Sequence, residues 1–83
     1  MAITVEQEGN AYKIYKDSVY QGLLTLAQAQ KDKVFYEQEK SLAETERDKY
    51  ESGTDEYTQF NNVVTDMTNV IADTDTIIGL MGA

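Results

Sequence analysis

The residue types that most enzymes use for catalysis are scarce in this chain. It contains no histidine and no cysteine, so the common general bases and thiolate nucleophiles are missing. The three serines, Ser18, Ser41 and Ser52, have no base close to them in the sequence. Lys31 and Lys33 lie in a polar segment, where a solvated helix face accounts for them. We therefore expect no enzymatic activity and no catalytic residues.

Asp73 and Asp75 form the only pattern that resembles a metal site. Carboxylate oxygens are the ligands that calcium prefers, but this pair lacks the glycine and the distal glutamate of a calcium loop. The absence of histidine and cysteine also removes the usual ligands of zinc. We interpret the pair as two carboxylates on either side of Thr74, on the outer face of a helix. The sequence predicts no metal and no cofactor.

The charge of the chain limits its partners. Fifteen acidic residues and seven basic residues give a formal net charge of −8, which repels phosphate backbones and anionic lipids, so we expect no nucleic-acid partner. No apolar run reaches about 18 residues, so we also expect no membrane span. Residues 1–6 do not have the pattern of a cleaved secretory signal. Two localisations stay open: the cytoplasm, or the outside of the cell after export without signal cleavage.

The spacing of apolar residues and turn formers predicts an all-α fold, an antiparallel helical hairpin. Good helix formers fill residues 34–51. Gly53 suits the left-handed position that ends a helix, and Thr54 suits the N-cap of the next helix. Folding the chain back at Gly53 pairs Val64 with Leu42. The predicted ranges are 1–83 for a single domain, about 4–51 for the first helix, 52–54 for the turn and about 55–80 for the second helix.

The predicted hairpin exposes more apolar surface than its two helices can bury. The second helix has a coiled-coil-like stripe with spacings of three and four, and residues 76–83 carry no charged side chain. A chain of 83 residues without cysteine has a thin core, and oligomerisation is the usual remedy. We expect many copies to assemble. The residues predicted to form the subunit interface are Tyr12, Tyr15, Val19, Val63, Val70, Ile71, Ile77, Ile78, Leu80 and Met81.

The stretch "EYTQFNN…VIADTDTII" resembles the C-terminal helix of needle-forming subunits of bacterial type III secretion systems. The resemblance covers about a third of the chain. The family usually has a proline-containing loop between its helices, whereas this chain has no proline and is predicted to turn at Gly53. The matching residues are Glu56, Tyr57, Thr58, Asn62, Val70, Ile71, Asp73, Asp75 and Ile78.

Members of that family are helical hairpins that leave the cell unfolded and polymerise into a hollow tube. The resemblance therefore implies a secreted structural protein on the bacterial cell surface, with roles in protein transport and virulence. It also implies an uncleaved export signal and a dedicated chaperone before export.

Three functions are compatible with these observations. The first is a self-assembling subunit of a secreted helical filament. The alternative is a small, acidic, cytoplasmic chaperone or cochaperone that binds the amphipathic helix of a partner. The third is a closed helical bundle, a dimer or a tetramer, with a structural or regulatory task.

Overall fold

The computed structural model describes residues 2–82, in which three strands precede two helices. The strands form one antiparallel sheet in the order β1-β2-β3. The helices follow the sheet in the sequence and pack against each other, so the fold is α+β. The elements are β1 Ile3–Glu8, β2 Ala11–Lys16, β3 Val19–Leu24, α1 Leu26–Arg47 and α2 Asp55–Leu80.

The predicted all-α fold is wrong, and so is its description as a helical hairpin or coiled coil. The sequence predicts that the first helix begins near residue 4, but α1 begins at Leu26 and residues 3–24 form the sheet. Two tight turns separate the strands. Gly9 has φ +62°, and Asp17 and Ser18 have φ +50° and +68°. Positive φ values at such positions match the right-handed twist of a hairpin, so these turns favour strand pairing over a helix.

Alternation along the strands separates an inner face from an outer face of the sheet. Ile3 and Val5 of β1, and Tyr12 and Ile14 of β2, all belong to the apolar core. Lys13 and Tyr15 alternate with them and so lie on the outer face. The inner face packs against the helices, and the core is therefore a layer between sheet and helices.

The residues at the C-terminal end of α2 complete this core. Ile77 and Met81 are buried, and they form one cluster with Ile14 and with Ala29 of α1. The partly buried residues packed against the cluster are Ile3, Val5, Tyr12, Leu24, Leu26 and Ile78. The uncharged segment that was expected to pack against other subunits thus contributes to the core of its own chain.

Threonine side chains begin both helices. The hydroxyl oxygen of Thr25 accepts a hydrogen bond from the Gln28 amide at 3.2 Å, and that of Thr54 accepts one from the Tyr57 amide at 3.2 Å. These bonds satisfy amides that lack a partner within the helix. Gly53, with φ +95°, lies immediately before the second cap. The sequence predicted the left-handed position and the N-cap at these two residues.

Candidate functional site

A cleft between the sheet and the helices is the first candidate site. It has a volume of about 230 Å³. Its wall is apolar around Ile14 and Ile77, and Lys16 and Asp73 lie at its polar side. The Lys16 Nζ atom is 3.4 Å from an Asp73 carboxylate oxygen, and both side chains are partly buried. These two polar groups therefore bind each other across the cleft, from β2 to α2.

A β-bulge in β3 shapes one wall of this cleft. Ile14 pairs with Gly22 but Tyr15 pairs with Tyr20, so Gln21 is an extra residue in β3. Gly22 has φ +134°, which side chains with a Cβ rarely adopt. Bulges bend a strand and increase its twist, and here the bend lies beside the cleft. The bulge explains why the sheet and the helices leave a gap at this position.

The interface between α1 and α2 is lined by small and polar side chains of α1. Ala29 and Ala43 are the buried residues of this helix. Lys33 forms an ion pair with Asp75 across the two helices. The pKa of Lys33 is raised above its ordinary value of 10.5, chiefly by the hydrogen bond to Asp75. Among the large apolar residues of α1, Leu26 packs against the core cluster, whereas Val34, Phe35 and Leu42 are exposed.

The turn between the helices is held by aromatic contacts. The rings of Tyr50 and Phe60 are stacked, with centroids 6.0 Å apart. The Arg47 guanidinium lies 5.7 Å from the ring centroid of Tyr57, and it donates a hydrogen bond of 3.2 Å to the Asn61 side chain. Cation–π and charge-assisted contacts of this kind stabilise the ends of two antiparallel helices relative to each other.

The outer face of α1 carries an apolar stripe. Val34, Phe35 and Leu42 are 53%, 56% and 61% exposed. Ala27, also exposed, lies seven residues before Val34, and Phe35 lies seven residues before Leu42. Seven residues are about two helical turns, so these four side chains share one side of the helix. We call this set, Ala27, Val34, Phe35 and Leu42, the outer stripe.

A shallow depression lies at the N-terminal end of the outer stripe. It is open to solvent and is lined by Ala27, Gln30, Lys31 and Val34, all of α1.

The outer face of the sheet is a second exposed surface. The rings of Tyr15 and Tyr20 lie side by side, with centroids 5.7 Å apart. Tyr20 and Leu23 of β3, which pair with Tyr15 and Lys13, are both more than half exposed. This surface belongs to an edge strand, whereas the outer stripe follows one straight helix.

The residues predicted to form a subunit interface occupy several environments. Tyr12, Ile77, Ile78 and Met81 belong to the core cluster or pack against it. Val70 lines the cleft. Val19, Val63 and Leu80 are exposed, and Tyr15 and Ile71 are partly buried. The structure does not bring these residues together on one surface.

Sequence reasoning did not identify the outer stripe. The predicted pairing placed Leu42 against Val64, but Leu42 is exposed, and so is Phe35. The signal was the spacing of Ala27, Val34, Phe35 and Leu42, which places them on one side of a helix. Pairing Leu42 with Val64 in the predicted hairpin concealed it.

Two further properties of the described residues bear on function. Within residues 2–82, neither helix is long and apolar enough to cross a membrane. In that same part of the chain, no three acidic side chains converge in a way that suits a metal ion.

Comparison with family models, with curated proteins and with solved structures gives no match for this chain. The resemblance to needle-forming subunits therefore stays a prediction from the sequence. All of its matching residues lie on α2.

Proposed function

We propose that this chain is a non-catalytic interaction module that binds a helix of a protein partner along the outer face of α1. One observation carries this proposal. Val34, Phe35 and Leu42 are 53%, 56% and 61% exposed, and they are not among the residues that form the apolar core cluster or pack against it. Single exposed apolar residues are ordinary, but a row of three on one side of a helix is typical of a contact surface.

Covering the outer stripe contributes favourable free energy to binding. Val34, Phe35 and Leu42 are a little over half exposed, so each contributes about half of the ~1.5–3 kcal/mol that full burial of such a side chain gives. Aromatic side chains are enriched at the centres of interfaces, and Phe35 lies in the middle of the stripe. The partner therefore gains most from contacts with three neighbouring side chains of α1.

The shape of the stripe favours a helical partner. Its residues recur after seven or eight positions along α1, which is the spacing that helices use when they pack side by side. An extended strand would need free main-chain groups, and α1 has already used its own within the helix. A helix lying along α1 meets Val34 and Phe35 in one turn and Leu42 about two turns further on.

The filament function predicted from the sequence depended on features that have another explanation in the structure. Residues 3–24, which were predicted to belong to the first helix, form the strands. The uncharged residues after Asp75 include Ile77 and Met81, which pack in the core. An interaction module of the kind considered as the alternative requires only the exposed surface of α1.

Site-specific photocrosslinking tests the proposed function. A photoreactive phenylalanine analogue replaces Phe35 in cells of the organism that produces the protein. We expect an intense, discrete crosslinked product from this position. The matched control places the same analogue at Thr65, an exposed position of α2 away from the stripe. Equal crosslinking at both positions, or none at position 35, would rule out the outer stripe as a binding surface.

A further inference from the structure

We infer that the partner helix is α1 of a second copy of this chain, packed antiparallel with Gln38 near the two-fold axis. This inference rests on the proposed function and names its partner. A two-fold axis makes both copies use the same surface, so each residue must meet the residue equally far from the axis on the other copy. Val34 and Leu42 of the outer stripe satisfy this condition.

The stripe is nearly symmetric about Gln38. Val34 precedes Gln38 by four residues and Leu42 follows it by four, so each valine meets the leucine of the other copy. Phe35 lies next to the same leucine. Gln38 itself meets Gln38 of the second copy, and a side-chain amide both donates and accepts, so two identical amides pair with each other. The order of residue types thus fits an antiparallel pair.

The distribution of charged residues along α1 also favours antiparallel packing. Residues 26–36 contain two lysines and one aspartate, whereas residues 37–47 contain four glutamates, one lysine and one arginine. The first half has a net charge of +1 and the second half −2. Antiparallel packing places the basic half of one copy against the acidic half of the other, with Lys31 close to Glu46. Parallel packing would place like charges together.

The second copy contacts the depression at the N-terminal end of the outer stripe. Its lining, Ala27, Gln30, Lys31 and Val34, lies before Gln38 in the sequence. In the antiparallel arrangement, Leu42 and Thr45 of the second copy face this region. Leu42 of one copy then packs on Val34 of the other, and the contact repeats on both sides of the axis.

The net charge of −8 on each copy opposes this association. At a salt concentration of about 0.1 M, repulsion between exposed charges that are more than about 10 Å apart is largely screened. The apparent dissociation constant of the dimer should therefore decrease when the salt concentration increases. An interface held mainly by charge attraction would respond in the opposite direction.

Engineered cysteines test the dimer and its direction, because the natural chain has no cysteine. Purified Gln38→Cys protein is oxidised under mild conditions, and Thr65→Cys is the matched control on α2. We expect the disulfide-linked dimer to form at least ten times faster at position 38. Equal rates at the two positions would overturn the inference, since random collision would explain both.

Mixed oxidation of two variants gives the direction. Lys31→Cys chains are combined with Thr45→Cys chains, and the linked products are separated by mass. Random pairing of equal amounts already gives about twice as much mixed product as either homodimer. Antiparallel packing predicts a 31–45 product well above that statistical share, and the statistical ratio itself would overturn the arrangement. A preference for 31–31 and 45–45 products would show parallel packing and overturn the proposed arrangement.

Sedimentation equilibrium of the unmodified protein separates this inference from the proposed function. We expect a species of twice the 9.4 kDa chain mass, and a monomer for Leu42→Asp with an unchanged circular-dichroism spectrum. A monomer for the natural chain, together with a Phe35 photocrosslink to a different protein, would overturn the dimer but keep the interaction module. No crosslink at position 35 would overturn both.

Discussion

The hydroxyl group of Tyr12 donates a hydrogen bond to the main-chain carbonyl of Met81, with an O–O distance of 3.1 Å. This bond joins the middle strand of the sheet to the C-cap of α2, across 69 positions of sequence. Carbonyl groups at the end of a helix have no partner within it. Tyr12 therefore places its ring in the core and satisfies one of these carbonyls at the same time.

Removing this hydroxyl should weaken the fold by a small, measurable amount. We expect Tyr12→Phe to reduce the free energy of unfolding by about 1 kcal/mol, the typical net value of one hydrogen bond. In a domain of this size, that change lowers the melting temperature by about 4–8 °C. Tyr20→Phe is the control, because Tyr20 is exposed on the outer face of the sheet. Equal effects of the two substitutions would contradict the role assigned to Tyr12.

Two apolar residues near the end of α2 should respond very differently to truncation. Ile77 is 7% exposed and Leu80 is 47% exposed. We expect Ile77→Ala to cost about 2–5 kcal/mol of unfolding free energy, because it leaves a cavity in the core. Leu80→Ala should change that free energy by no more than about 0.5 kcal/mol. Urea denaturation measures both, and a larger loss for Leu80→Ala would disprove the assignment of Ile77 to the core.

The N-cap of α2 gives a prediction about local stability. The hydroxyl oxygen of Thr54 accepts a hydrogen bond from the Tyr57 amide at 3.2 Å. Thr54→Ala should cost about 1 kcal/mol, whereas Thr54→Ser keeps the acceptor and should cost much less. Hydrogen exchange at the Tyr57 amide should accelerate in the alanine variant alone. Unchanged exchange there would show that another group satisfies this amide.

The ion pair between the helices predicts a response to high pH. The hydrogen bond from Lys33 to Asp75 raises the pKa of Lys33 above 10.5. A raised lysine pKa stabilises the folded state fully below pH 10.5, and this stabilisation disappears as the pH rises through the folded-state pKa. Nuclear magnetic resonance of the lysine Cε atoms measures the midpoint. We expect Asp75→Asn to move the Lys33 midpoint back towards 10.5, and an unchanged midpoint would exclude Asp75 as the cause.

The sequence contained the signals for the sheet, but they were interpreted with the wrong period. Ile3 and Val5, and Tyr12 and Ile14, alternate with other residues as strand residues do. The same stretch is dense in tyrosine and leucine, which also suits a buried helix. The paired turns at 9–10 and 17–18 decide between the two, since short polar turns between apolar runs predict hairpins.

The helical part was easier to predict, because its signals are local. Gly53 and Thr54 act through their own backbone and side-chain atoms, so neighbouring sequence is enough to identify them. Which side of α1 faces α2 depends instead on the sheet, which covers part of α2. With only two helices predicted, nothing indicated that Phe35 and Leu42 would be exposed to solvent. The candidate site was therefore missed for the same reason as the strands.

The residues of α2 that cover the sheet lie far from it in the sequence, and this separation has a consequence for biosynthesis. A ribosome makes Ile14 early, but Ile77 and Met81, which bury it, emerge more than sixty residues later. Until then the inner face of the sheet has no cover from α2, and a three-stranded sheet without a packed face is barely stable. The nascent chain should therefore stay protease-sensitive until the last turn of α2 has left the exit tunnel.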